Sequence, residues 1–139
     1  MSIRIEVLGV PVVQGNHSKN SAGAVYETTK GHRPWRDAVA WAAREARQRS
    51  GIVAGPVCVE IIFTMPKPKS APKRKRTWPD RKPDIDKLCR TVLDGITIGG
   101  LIEDDARVTD LWALKCFPGE SVDGLDVPGA VIRVRMASE

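Results

Sequence analysis

Residues Lys82 to Val108 begin Lys-Pro-Asp-Ile-Asp-Lys-Leu-Cys-Arg-Thr-Val-Leu-Asp-Gly-Ile, pass through a Gly-rich turn, and end Glu103-Asp104-Asp105-Ala106-Arg107-Val108. Asp84, directly after Pro83, is a natural N-cap. Leu88, Val92 and Ile96 then recur at every fourth position, with Cys89 and Leu93 beside them. That spacing predicts a helix with one buried face. Asp86, Arg90 and Asp94 fall four apart on another face, where they could be ordinary intrahelical ion pairs or could aim Asp86 and Arg90 into a site. Gly95, Gly99 and Gly100 are expected to break the helix and form a tight connection, after which Leu101 and Ile102 return to the core. Asp84 and Asp86 therefore sit at the helix start, and Asp104 and Asp105 near its far end. Carboxylates gathered by folding repel one another unless their pKa values rise or a cation binds. Hard oxygen ligands suit Mg²⁺ or Mn²⁺, and a carboxylate metal site is the expectation for this stretch.

The segment just before it has the opposite charge. Pro66 to Pro83 carries Lys67, Lys69, Lys73, Arg74, Lys75, Arg76, Arg81 and Lys82, punctuated by five prolines and one Trp. No core can be built from that composition, so an exposed, mobile loop is expected. Three readings compete: a solvated loop with no partner, a nuclear-import-like tract at Lys73-Arg74-Lys75-Arg76, or an arm that holds phosphates. In the last case Trp78 is available to stack on an unpaired base. Its place directly before the carboxylates favours the arm, because a centre that cleaves a phosphodiester needs cations to hold the anionic strand.

The remaining chain supplies a scaffold. Val57 to Met65 is the most apolar, β-branched run and predicts a central strand. Upstream, Pro34 opens a helix whose stripe is Trp35, Ala38, Val39, Ala42 and Ala46, with Trp41 towards its side and Ser50-Gly51 as its stop. Trp35 and Trp41 both read as core anchors. Ile3, Ile5 and Val7 alternate with charged residues as in a half-buried strand. Gln14 to Gly31 reads as a loop or irregular hairpin, with Val25-Tyr26 a short strand. Downstream, Arg107 to Lys115 has a strand period, Pro118 to Asp126 is a turn-rich loop, and Ala130 to Met136 closes as a final strand. Asp110, Asp123 and Asp126 read as surface or turn residues.

Composition sets the bounds. The 139 residues suit one domain, here taken as 1–139. The 22 Lys and Arg against 17 Asp and Glu give a net charge of +5, which permits a polyanionic partner without demanding one. Cys58, Cys89 and Cys116 are widely spaced with no Cys-x-x-Cys, and only His17 and His32 accompany them, which argues against structural zinc. Cys58 and Cys89 read as core residues in a reducing compartment. With no apolar signal region at the N-terminus and no run of membrane-spanning length, a cytoplasmic protein is expected.

Lys82-Pro83-Asp84-Ile85-Asp86-x-Leu88, Asp94-Gly95 and Glu103-Asp104-Asp105-Ala106-Arg107-Val108 together resemble the RusA family of endodeoxyribonucleases, the Holliday junction resolvases of bacteria and phages. They match its pattern Asp-x-Asp-Asn-Leu…Lys…Asp-(Ala/Gly)…Asp-Asp-x-x-Val. The early Val-Tyr-x-Thr segment, followed by Trp-Arg and a helix, is also similar. The likeness runs over most of the chain, and the carboxylate region carries its specificity. It implies a small α+β domain with a mixed β-sheet and two main helices, working as a homodimer. It also implies that Asp84, Asp86 and Asp105 are catalytic metal-binding aspartates; Asp104 matches the neighbouring acidic position. The family's catalytic lysine falls on Arg90 and its usual asparagine on Lys87. Arg90 keeps the charge but cannot donate a proton near neutral pH.

The implied activity is Mg²⁺-dependent resolution of four-way DNA junctions by paired symmetric nicks, with Mn²⁺ as a possible substitute. Lys73, Arg74, Lys75, Arg76, Arg81, Lys82 and Lys87 would contact the DNA. Two other classes fit the residues. One is a basic nucleic-acid-binding protein whose acids serve only as caps and turns. The other is a metal nuclease for flaps and branched DNA in general.

Overall fold

A computed structural model describes residues 2–13, 17–19, 25–27 and 32–137 of the chain. Its central strand is β4 (Val57–Thr64), where every residue except Glu60 is buried. β4 lies between two neighbours in a four-stranded sheet. It pairs in parallel with β5 (Val108–Cys116) and antiparallel with β6 (Gly129–Met136), so that Ile61 faces Ala113 on one side and Ile132 on the other. β1 (Ser2–Leu8) adds to the free edge of β6, giving a mixed sheet. A separate two-stranded ladder pairs β2 (His17–Lys19) with β3 (Val25–Glu27), the hairpin expected around Val25-Tyr26. Most of that polar segment lies outside the described residues, His17 and His32 side chains included.

Parallel neighbours need a crossover, and the helix predicted from the Leu88 period provides it. α2 (Ile85–Ile98) runs back from the end of β4 to the start of β5, with Leu88, Val92 and Ile96 all fully buried. α1 (His32–Ser50) packs beside it, and Trp35, Val39, Ala43 and Ala46 join the same core as Ile61, Phe63 and Ile132. Together these elements make the α+β class expected of a small mixed-sheet domain. Among the described residues, no helix is long and apolar enough to cross a membrane.

Several local expectations are corrected. α1 begins at His32, two residues before Pro34. Trp41 is 63% exposed and anchors nothing in this core, because the stripe turns inward through Ala40 and Ala43. Gly95 does not break α2. It lies buried inside the helix, where a Cβ would sit 2.6 Å from Val39 Cγ1, so its lack of a side chain lets α1 pass close. The turn comes four residues later, and Gly100 takes the positive φ of 77° that the reversal requires.

The other sheet face carries a small cluster of Ile62, Cys116 and Val131, against which Leu114 and Leu125 pack. The connection after β5 folds over this face, its Leu125 N–H donating to Thr64 Oγ1 at 3.0 Å. That contact brings Glu120 beneath the basic loop. Cys58, Cys89 and Cys116 are all free and buried, as a reduced core requires.

Candidate active site

The site begins where α2 begins. Asp84 has the extended backbone of an N-cap (φ −68°, ψ 139°), yet its side chain makes no capping hydrogen bond. A carboxylate in that position normally satisfies an orphan N–H of the first turn. This one is left half exposed, with Lys87 Nζ 3.8 Å away. Asp86 is exposed in the first turn, where the helix dipole favours an anion. The Cys89 thiol is pushed up to about 11, first by burial and then by the Asp86 charge, so it is an inert core group. The backbone leading into Asp84 is held from β5: Lys115 Nζ donates to the carbonyls of Arg81 and Pro83, both at 2.8 Å. Lys115 carries no signal of this task in the sequence, because the contact spans more than thirty residues.

The far end of α2 gathers a different set. Asp104 caps a single 3₁₀ turn (Asp105–Arg107) by accepting from Ala106 N–H at 3.2 Å. Asp105 accepts a short hydrogen bond from the Thr97 hydroxyl and lies in hydrogen-bonding contact with Asp94. Burial, then the charge and hydrogen bond of Asp105, hold the Asp94 pKa above the ordinary carboxylate range. The guanidinium groups of Arg90 and Arg36 oppose that rise. Two carboxyl groups this close share a proton or take up a cation. Asp94 was legible only as one member of a row four apart; that it meets Asp105 depends on the turn after α2.

The implied ligands are thus not brought to one point within the chain. Asp84 and Asp86 stand at one end of α2 and Asp105 at the other; from Asp86 to Thr97 is roughly 16 Å along the axis at 1.5 Å per residue. Among the described residues, no three His, Cys, Asp or Glu side chains form a ready metal cluster. The donor chemistry still fits a hard divalent cation. Asp84 has a carboxylate that makes no capping hydrogen bond and pairs only at 3.8 Å with Lys87, and the Asp94–Asp105 pair is a place where carboxylates are held against their own repulsion.

The cations lie on the Asp84 side. Lys73, Arg74, Lys75, Arg76, Arg81, Lys82, Lys87 and Arg90 are all exposed. The Pro66–Pro83 loop has no helix or strand, but Glu120 clasps it. One Glu120 oxygen pairs with Lys67 Nζ at 2.5 Å and the other accepts from Thr77 N–H at 2.8 Å. Those two bonds hold the Glu120 pKa below its ordinary value of 4.5. A carboxylate depressed in the folded state contributes stability above its unfolded pKa and loses it as the pH falls through the folded one. The loop is therefore expected to loosen from about pH 5 downward, read as faster limited proteolysis after Lys73 to Arg76 by an acid-tolerant protease. Glu120→Gln should show the fast rate already at neutral pH.

Acidic groups at both ends of one helix, beside a strongly cationic loop, are the equipment of a protein that handles and cuts phosphodiesters. The family model described as Endodeoxyribonuclease RusA matches residues 9–135, nearly the whole chain, and the chain belongs to that family of endodeoxyribonucleases. No curated protein sequence matches it closely enough to count.

Proposed function

We propose that this chain is a Mg²⁺-dependent, structure-selective endonuclease that resolves Holliday junctions by paired symmetric nicks, working as a homodimer in the cytoplasm. The observation that carries this reading is the half-exposed carboxylate of Asp84, which makes no capping hydrogen bond, next to exposed Asp86 and directly after a cationic loop in a chain of the RusA family. Asp84, Asp86 and Asp105 would hold the metal, with Mn²⁺ as a possible substitute. When bound, the cation supplies an activated water and neutralises charge on the phosphoryl oxygens.

The chain's own groups do the rest. Arg90, exposed between the two acidic ends, orients a phosphate; it cannot deliver a proton at neutral pH. Lys87, Arg81, Lys82 and the Lys73 to Arg76 tract neutralise the DNA backbone and supply most of the affinity. Lys115 keeps Asp84 in place by gripping the carbonyls of Arg81 and Pro83.

The separation of Asp86 from Asp105 makes the dimer part of the chemistry. If a twofold copy lays its α2 end for end against the first, Asp84 and Asp86 of one chain meet Asp105 of the other, and two identical centres result. Mixing tests this. Asp86→Asn and Asp105→Asn should each be inactive alone. After co-refolding, the heterodimer regains one intact centre and nicks a four-way junction on one strand. Persistent inactivity of the mixture, with native-like dimers present, would place all three acids in one chain. Comparing junction, flap and linear duplex separates a resolvase from a general branched-DNA nuclease.

A further inference from the structure

We propose that the cavity beside Asp84 receives one unstacked nucleobase of the strand being cut, with the Trp78 ring as its stacking face. This deepens the nuclease reading and rests on it. The cavity has a volume of about 780 Å³, within the range of sites for small organic groups and too small for a duplex. Its lining is divided in character. Buried Met65 and Phe117, with Val12, give an apolar part, while Arg81, Lys82 and Lys87 give a cationic part. Asp84 belongs to the same lining, so whatever fills the cavity adjoins the proposed scissile phosphate. An aromatic, uncharged body attached to an anionic chain matches that division, and a nucleotide pulled out of its stack is such a group.

Trp78 supplies the specific feature. It lines the cavity, yet 49% of its surface is exposed, in a loop whose other residues are mostly cations and prolines. Burying the ring against the core would be the ordinary fate of a tryptophan. Here the Arg76 guanidinium lies over the ring, 4.2 Å from its centroid, so the ring already stacks with a cation while about half its surface stays exposed. The backbone under the ring is fixed on both sides. Glu120 holds Thr77 N–H at 2.8 Å, and Asp80 N–H donates to Trp78 O at 2.9 Å. A stacking surface held in place before binding loses little entropy when a base arrives.

Unstacking costs least where pairing is already interrupted. A branch point offers such bases and a continuous duplex does not, so the cavity would contribute to structure selectivity as well as to positioning.

The test is a binding cycle on a synthetic four-way junction, with Ca²⁺ replacing Mg²⁺ so that nothing is cut. Single abasic nucleotides are placed at each position flanking the cleavage site, and wild type is compared with Trp78→Ala and Trp78→Phe. One abasic position should weaken wild-type binding roughly 5- to 150-fold, the scale of one base–aromatic stack. Trp78→Ala should bind the intact junction about that much more weakly and be indifferent, within about twofold, to the same abasic position. Trp78→Phe should restore most of the difference. Equal wild-type affinity for every abasic junction overturns the proposal, as does a Trp78→Ala variant that stays sensitive to the missing base. If Trp78→Ala fails to fold, the wild-type abasic series decides alone. Mg²⁺-dependent cleavage of the intact junction by wild type is scored separately, so failure of the nuclease reading is not confused with failure of the cavity.

Discussion

Asp86→Asn is expected to abolish Mg²⁺-dependent cleavage of a four-way junction while leaving junction binding nearly intact. If Asp86 is one of the proposed carboxylate ligands, its removal takes away most of the hold on the cation. Losing metal assistance should lower the rate by about a thousandfold or more, equivalent to about 4 kcal/mol of barrier. Affinity should behave differently because the proposed DNA contacts are the exposed cations of the Pro66–Pro83 loop, which the substitution does not touch. Asparagine keeps the shape of the exposed first-turn residue, and the fold loses only the dipole contribution of one anion, about 0.3–1 kcal/mol. The measurements are single-turnover cleavage with Mg²⁺ and Mn²⁺, and binding by fluorescence anisotropy. Cleavage at an unchanged rate would remove Asp86 from the catalytic set, and with it the central role given to the start of α2.

Gly99→Ala should destabilise the domain by about 2–3 kcal/mol. Gly99 has right-handed angles (φ −69°, ψ −12°), so its backbone makes no demand for glycine. Packing makes the demand. A Cβ there would press into Ala40 O and sit 2.7 Å from Ala43 Cβ and 3.1 Å from Arg44 N. Two of those three atoms belong to the backbone of α1 and cannot rotate aside, so the helices must separate. Gly99 is the C-cap, beyond the last residue of α2, so the helix-interior preference for alanine over glycine does little to offset that. Urea denaturation gives the sign at once, and a stabilised Gly99→Ala would mean that the α1–α2 contact is looser than described. The same separation should displace Thr97, two residues away, and with it the hydrogen bond that holds Asp105.

Much of this was written locally. The period of Leu88, Val92 and Ile96 gave α2, the β-branched run gave β4, and proline with lysine density gave the loop, because each depends only on neighbours along the chain. The Asp-x-Asp and Asp-Asp-x-x-Val motifs likewise pointed to the family that the match over residues 9–135 shows. Sequence reasoning misread Gly95 as a breaker and Trp41 as an anchor, since a helix does not reveal in its own residues where its neighbour crosses. It placed the two acidic groups at opposite ends of α2 but expected folding to gather them, and it could not tell that Asp94 joins Asp105, or that Glu120 and Lys115 reach across to fix the loop. Those contacts depend on a parallel crossover and on a connection folded over the far sheet face. Proximity of that kind is set by packing between segments dozens of residues apart, and no spacing within one segment encodes it.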